Sequence, residues 1–104
     1  MKYFVLRTEK ADSQIRDLLY YIAEDSGDVD VALNYLDKLE RGINLLSEQP
    51  YYGVQARHLS LKRQGYRTLI IENHLIFYKV RERDKTVIIH AVVDSRQDYV
   101  RLVL

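Results

Sequence analysis

Pro50, the only proline in the chain, marks the point where the hydrophobic pattern changes period, and this limits the fold more than any other feature. Before it, two apolar stripes run at helical spacing. Ala11, Ile15, Leu18, Leu19 and Ile22 recur at offsets of 4, 7, 8 and 11, and Ala32, Leu36, Leu39, Ile43 and Leu46 at offsets of 4, 7, 11 and 14. After it, apolar residues alternate or run in short β-branched blocks, as strands do. A chain with its helices in one half and most of its strands in the other folds as α+β, with the helices gathered on one face of a sheet.

The boundaries follow from local chemistry. Residues 3–7, YFVLR, read as a first strand. Thr8 stands where a helix N-cap belongs, and Glu9 complements the positive helix end. The first helix runs from about Glu9 to Glu24 and breaks at Ser26-Gly27-Asp28. Asp28 or Asp30 caps the second helix. Gly42 lies inside it at a cost of about 1 kcal/mol relative to alanine, which points to close packing there. The short link makes the two helices an antiparallel hairpin. Beyond Pro50, His58-Leu59-Ser60-Leu61-Lys62 alternates and predicts a strand with both leucines toward the helices. Gln64-Gly65 is a turn signal. Tyr66–Ile71, His74–Val80 and Thr86–Val93 are three further strands on short links, an antiparallel meander. The predicted order is β-α-α-β-β-β, one domain over residues 1–104, with the hairpin packed on one face of the sheet.

Composition narrows the function classes. There are no cysteines, which excludes disulfides, thiol catalysis and thiolate metal sites and fits a reducing compartment. The three histidines lie 16 residues apart each time, without metal-ligand spacing, so neither metal nor cofactor is expected. No apolar run is long enough to span a membrane, and MKYFVLRTEK lacks the features of a signal peptide; the reading is a cytoplasmic protein. Net charge is only +1, but residues 9–48 carry a net of −6 and residues 57–104 a net of +5. That asymmetry suits one face to an anionic partner.

A sheet covered on one side leaves its other face free to work. The predicted alternation turns His58, Ser60 and Lys62 to that face, and strand parity puts His90 on the same side as Asp94 and Arg96 in the absence of a bulge. Together with Arg57, Arg63, Arg67 and Tyr99 these form a basic face with an aromatic, the makings of an RNA-backbone site. Arg67 has two readings. It is a phosphate ligand, or it pairs with Asp94 or Glu72 as a structural ion pair. His90 as a structural strand residue and Tyr99 as a seal on the core are the corresponding alternatives.

Several segments carry a family resemblance: TEKA at 8–11 with DLLYYI at 17–22, ALNYLDKLERGINLL at 32–46, PYYG at 50–53, GYR at 65–67, IFYKV at 76–80 and VVDSRQDY at 92–99. In this order they resemble the RelE/ParE superfamily, toxins of bacterial type II toxin–antitoxin systems linked to growth arrest and plasmid stabilization. The resemblance implies a toxin neutralised by a cognate antitoxin. RelE-like members are ribosome-dependent mRNA endoribonucleases (mRNA interferases), whereas ParE-like members inhibit DNA gyrase. A RelE-like mechanism would use Arg67, Arg96 and Tyr99, with His58 or His90 moving protons and Arg57, Lys62 and Arg63 binding RNA. The paired lysines of RelE fall here on His58 and Ser60, and Lys62 replaces an arginine. The long helices and the A-x-x-Y-x-x-x-L pattern at 32–39 are more ParE-like, and the near-neutral charge counts against strong ribosome binding. A non-toxic interaction module of the same fold is a third reading. The antitoxin would contact the apolar tail through Tyr99, Leu102 and Leu104.

Overall fold

A computed structural model describes residues 2–104. Strand β1 (Phe4–Arg7) leads into helices α1 (Glu9–Ser26) and α2 (Val29–Leu45). Then come β2 (Val54–Gln55), the short helix α3 (Leu59–Arg63), strands β3 (Arg67–Ile71), β4 (His74–Arg81) and β5 (Thr86–Asp94), and a final helix α4 (Tyr99–Val103). The Thr8 hydroxyl accepts from the Ala11 amide, so α1 starts at the expected cap. Asp28 caps α2 by accepting from the Asp30 amide. Both helices owe their register to the apolar stripes: Ala11, Ile15, Leu39, Ile43 and Leu46 are buried against Leu69, Ile76, Tyr78, Val87, Ile89 and Val92 of the sheet. A Cβ on Gly42 would lie 2.5 Å from Ile71 Cδ1, so this glycine does sit at a close helix–sheet approach.

The sheet has the order β1-β5-β4-β3-β2. The meander β3-β4-β5 is antiparallel as expected, but β1 joins β5 in parallel, so the sheet is mixed. The strand expected over residues 58–62 is absent; residues 59–63 are the helix α3, with His58 before it. Leu61 is fully buried while Leu59 is 56% exposed, so the two leucines do not share a face. The five-residue alternation fits either conformation, and the glycine that follows decides it. Gly65 adopts φ +84°, its N–H donates to Lys62 O, and Tyr66 N–H donates to Leu61 O. This is a Schellman helix end, with its apolar contact made by Leu61 and Tyr66 in one buried cluster.

The face away from the hairpin is therefore not bare. Ala56, Leu61, Tyr66, Phe77, Ala91, Val93 and Val103 form a second core there, under α3 and α4. The C-terminal tail is part of it: Val103 is 5% exposed, although Leu104 is 55% exposed.

Candidate functional site

Arg67 opens β3 opposite Tyr78, on the hairpin side of the sheet by strand parity. Its guanidinium is turned onto the PYYG loop. Nη2 donates to Gly53 O at 2.6 Å and to Tyr51 O at 3.1 Å, Nε donates to Gly53 O at 3.1 Å, and the group lies 5.2 Å from the centre of the Tyr51 ring. The buried Tyr78 hydroxyl accepts from the Gly53 amide at 2.9 Å. Gly53 is thus held at both its N–H and its C=O. A Cβ there would come within 2.6 Å of Thr68 O and 2.7 Å of the Tyr78 hydroxyl, so only glycine fits. The acceptors of Arg67 are backbone carbonyls, not the Asp94 or Glu72 carboxylates.

Arg96 lies at another corner. It grips Asp94 through Nη2 at 2.7 Å and Nε at 3.0 Å, and Asp94 also accepts the Arg96 amide at 2.8 Å. These bonds hold the Asp94 carboxyl well below the usual carboxylate range. Asp94 stands across the sheet from His74, whose Nδ1 is 2.6 Å from the Tyr35 hydroxyl. Burial, with Glu72 and Asp94 nearby, pushes Tyr35 up to about 12. His74, Asp94 and Arg96 line a cavity of about 380 Å³ with Gln14, Asp17 and Tyr21 of α1. Neither His74 nor Tyr35 was expected at a functional site. The spacing that could have shown the pair is absent, because they lie 39 residues apart on different elements.

Tyr99 stacks on Phe77 at 5.3 Å on the second face and borders a groove of about 500 Å³ with Arg57, Thr68, Ile70 and Ser95. His58 precedes α3 and is exposed, with Nδ1 3.0 Å from the Ser60 hydroxyl. Lys62 and Arg63 are exposed on α3 itself. His90 is displaced from its expected side. Phe77 pairs with Ala91 and Tyr78 with Ile89, which makes His90 the extra residue of a β-bulge. It packs edge-on against Tyr66 of the second core, whereas Asp94 pairs with His74 on the hairpin side. The parity that joined His90 to Asp94 and Arg96 fails at this bulge. Tyr99 and His90 thus share the second face through Phe77 and Tyr66, whereas Arg67 and Arg96 lie apart from them and His58 stands at the start of α3. Among the described residues no group of acids and histidines could hold a metal ion, and no helix is long and apolar enough to cross a membrane.

The sequence matches the family described as the ParE toxin of the type II toxin–antitoxin system, parDE, over residues 5–99. The chain belongs to the ParE toxin family. Three solved structures share the fold of this ParE-family toxin. A chromosomal ParDE system from P. aeruginosa aligns with TM-score 0.73 at 16% identity, covering 89% of this chain and 96% of that one. A free-state E. coli RelE toxin mutant gives 0.65 at 16%, covering 99% and 94%. The RelBE2 toxin–antitoxin complex from Mycobacterium tuberculosis gives 0.63 at 18%, covering 90% and 99%. No curated protein matches the sequence.

A third polar cluster ties the far edge of this ParE-family toxin together. Glu82 accepts from the hydroxyls of Tyr3 and Tyr51 and from Lys85 Nζ. Those bonds, Lys85 first, hold its carboxyl down at about 2, and the bond to Glu82 pushes Tyr51 up to about 12. A carboxyl lowered from an ordinary 4.5 contributes stability that is complete above that value and is lost as pH falls toward 2. His74 and His90 are both lowered from 6.5, chiefly by burial. Their contribution is complete above pH 6.5 and declines below it, because the unfolded chain takes up protons first. Melting curves should therefore show a falling midpoint from pH 7 downward, with a further fall below pH 4.5. Glu82→Gln should make the lower segment shallower without removing it, because Asp94 and Asp84 are lowered as well, and should leave the upper segment unchanged. A midpoint independent of pH from 7 to 3 would refute the assignment.

Proposed function

We propose that this toxin arrests growth by inhibiting DNA gyrase and not by cutting mRNA, and that a cognate antitoxin neutralises it. The observation that carries this reading is the dispersal of the nuclease candidates. A phosphoryl-transfer site needs its charge-stabilising donors and proton carriers around one reacting phosphate. Here Arg67 is spent on Gly53 and Tyr51 carbonyls and Arg96 on Asp94, so neither guanidinium is aimed at the second face, where Tyr99 and His90 pack. Membership of the ParE family points the same way, since ParE-like toxins act on gyrase. The antitoxin reading keeps the tail as a contact: Tyr99 is half-buried, and Leu102 and Leu104 present apolar surface at the end of α4.

Purified toxin is expected to inhibit supercoiling by gyrase, and its induction in cells to raise the DNA-damage response while leaving mRNA intact. Co-expression of the antitoxin should restore growth. Ribosome-dependent cleavage of mRNA in a translating extract, with supercoiling unaffected, would overturn the proposal in favour of a RelE-like nuclease.

A further inference from the structure

The bulge in β5 has placed a histidine among cations. The His90 ring stands edge-on to Tyr66 at 5.3 Å, and Lys79 Nζ lies 4.5 Å from the centre of the same Tyr66 ring. The start of α1 is tied to this point, because the Thr8 hydroxyl donates to His90 O at 3.2 Å. Two residues on, Lys10 donates to Val103 O at 2.8 Å, which holds its ammonium beside the end of α4. Lys79 and His90 thus meet at one ring, and the Thr8–His90 bond brings the first turn of α1, which carries Lys10, to the same stretch of β5.

Neither lysine has a carboxylate partner among the described residues. They share this with Arg57, Lys62 and Arg63, whereas Arg7, Lys38, Arg41, Arg81, Lys85 and Arg96 are each paired with a carboxylate. Ammoniums without a carboxylate partner on one stretch of surface favour an anion there. Two ammoniums and an imidazole N–H are suitable donors for the oxygens of one phosphate. Lysines act as point charges, so such a contact would read a backbone and not a base. The aromatic rings also speak against single-stranded RNA. Tyr66 is 6% exposed and Tyr99 is already stacked on Phe77, so neither offers the open platform on which unpaired bases stack.

We propose that Lys79 and His90, which meet at the Tyr66 ring, form with Lys10 from the adjoining start of α1 a subsite for a backbone phosphate of duplex DNA. The inference rests on the gyrase reading for its biological setting: the toxin would engage gyrase while the enzyme holds DNA. Lys62, which shares a small cavity with Tyr66, extends the basic surface toward α3.

The test is fluorescence anisotropy of the purified toxin with a short labelled DNA duplex over a salt series, without gyrase. Affinity should fall with salt, and Lys79→Gln and Lys10→Gln should each reduce the slope of log K against log salt by about 0.9. Lys85→Gln, whose ammonium is already spent on Glu82, should leave the slope unchanged. Lys10→Gln gives up the bond to the Val103 carbonyl and Lys79→Gln the contact with the Tyr66 ring, so the slopes are compared well below the melting midpoint of each variant. In NMR the C2 proton of His90 should shift on addition of duplex. No duplex binding at low salt, or a wild-type slope in both variants, overturns the subsite. Tighter binding to single-stranded RNA of the same length overturns the DNA assignment. A His90 shift with inorganic phosphate that duplex cannot reproduce makes it a site for free phosphate. Salt-dependent duplex binding without inhibition of supercoiling keeps the subsite and removes the gyrase reading. Inhibition with unchanged slopes does the reverse.

Discussion

Arg67→Ala is expected to lower the melting temperature of this toxin by several degrees, before any effect on its target is considered. The guanidinium makes three hydrogen bonds to two backbone carbonyls, and Gly53 is one end of a clasp whose other end is the Tyr78 hydroxyl. Removing a charged donor from half-buried acceptors costs about 1–3 kcal/mol, which for a domain of this size is roughly 5–15 °C. Arg67→Lys keeps the charge but cannot span Gly53 O and Tyr51 O together, so it should recover less than half of the loss. Gly53→Ala attacks the same clasp from the other side. Its Cβ would meet Thr68 O and the Tyr78 hydroxyl, neither of which is a flexible side-chain end, and overpacking of this kind costs about 1–3 kcal/mol. Thermal melts of the three variants check the account. If Arg67→Ala melts with wild type yet loses all toxicity, the clasp is incidental and the phosphate-ligand reading of Arg67 returns.

Deleting residues 100–104 should destabilise the fold more than any single surface change. Val103 is buried and Val100 partly buried in the second core, and Lys10 is bonded to the Val103 carbonyl. Loss of that burial and the space it leaves amount to about 2–4 kcal/mol, a fall of roughly 10 °C or more. Leu104→Asp is the companion variant, because Leu104 is exposed and removing it leaves the second core filled. It should melt like wild type while weakening the antitoxin complex, measured by titration calorimetry. A truncated chain that melts like wild type would show that the second core stands without α4. Unchanged antitoxin affinity in Leu104→Asp would remove the tail from that interface.

Much of the fold was legible because its causes are local. Thr8 and Asp28 cap the helices they precede, using side-chain oxygens that reach amides only two or three residues away. The apolar stripes of α1 and α2 could bury only on a shared surface, and short links left β3, β4 and β5 little choice but a meander. Residues 58–62 were misread because five alternating residues do not separate a strand from a helical turn. The deciding signal was Gly65, read as a generic turn and not as the left-handed residue that ends a helix. The parallel pairing of β1 with β5 joins residues about 82 positions apart, and no local pattern encodes it.

The candidate site divides the same way. From the sequence alone came the family resemblance, the helix–strand layout, the basic second half and the residues able to carry charge. These depend on residue type and near spacing. Only the tertiary structure decided where those charges point. A one-residue bulge carried His90 to the face opposite Asp94, and the loop at 51–53 came back over β3 to take the Arg67 guanidinium. Lys79 and His90, on neighbouring strands, came to meet at the ring of Tyr66, which precedes a third. Side-chain direction on a strand reverses with each residue, so a single inserted residue rewrites which groups can meet, and only the folded chain shows where that insertion falls.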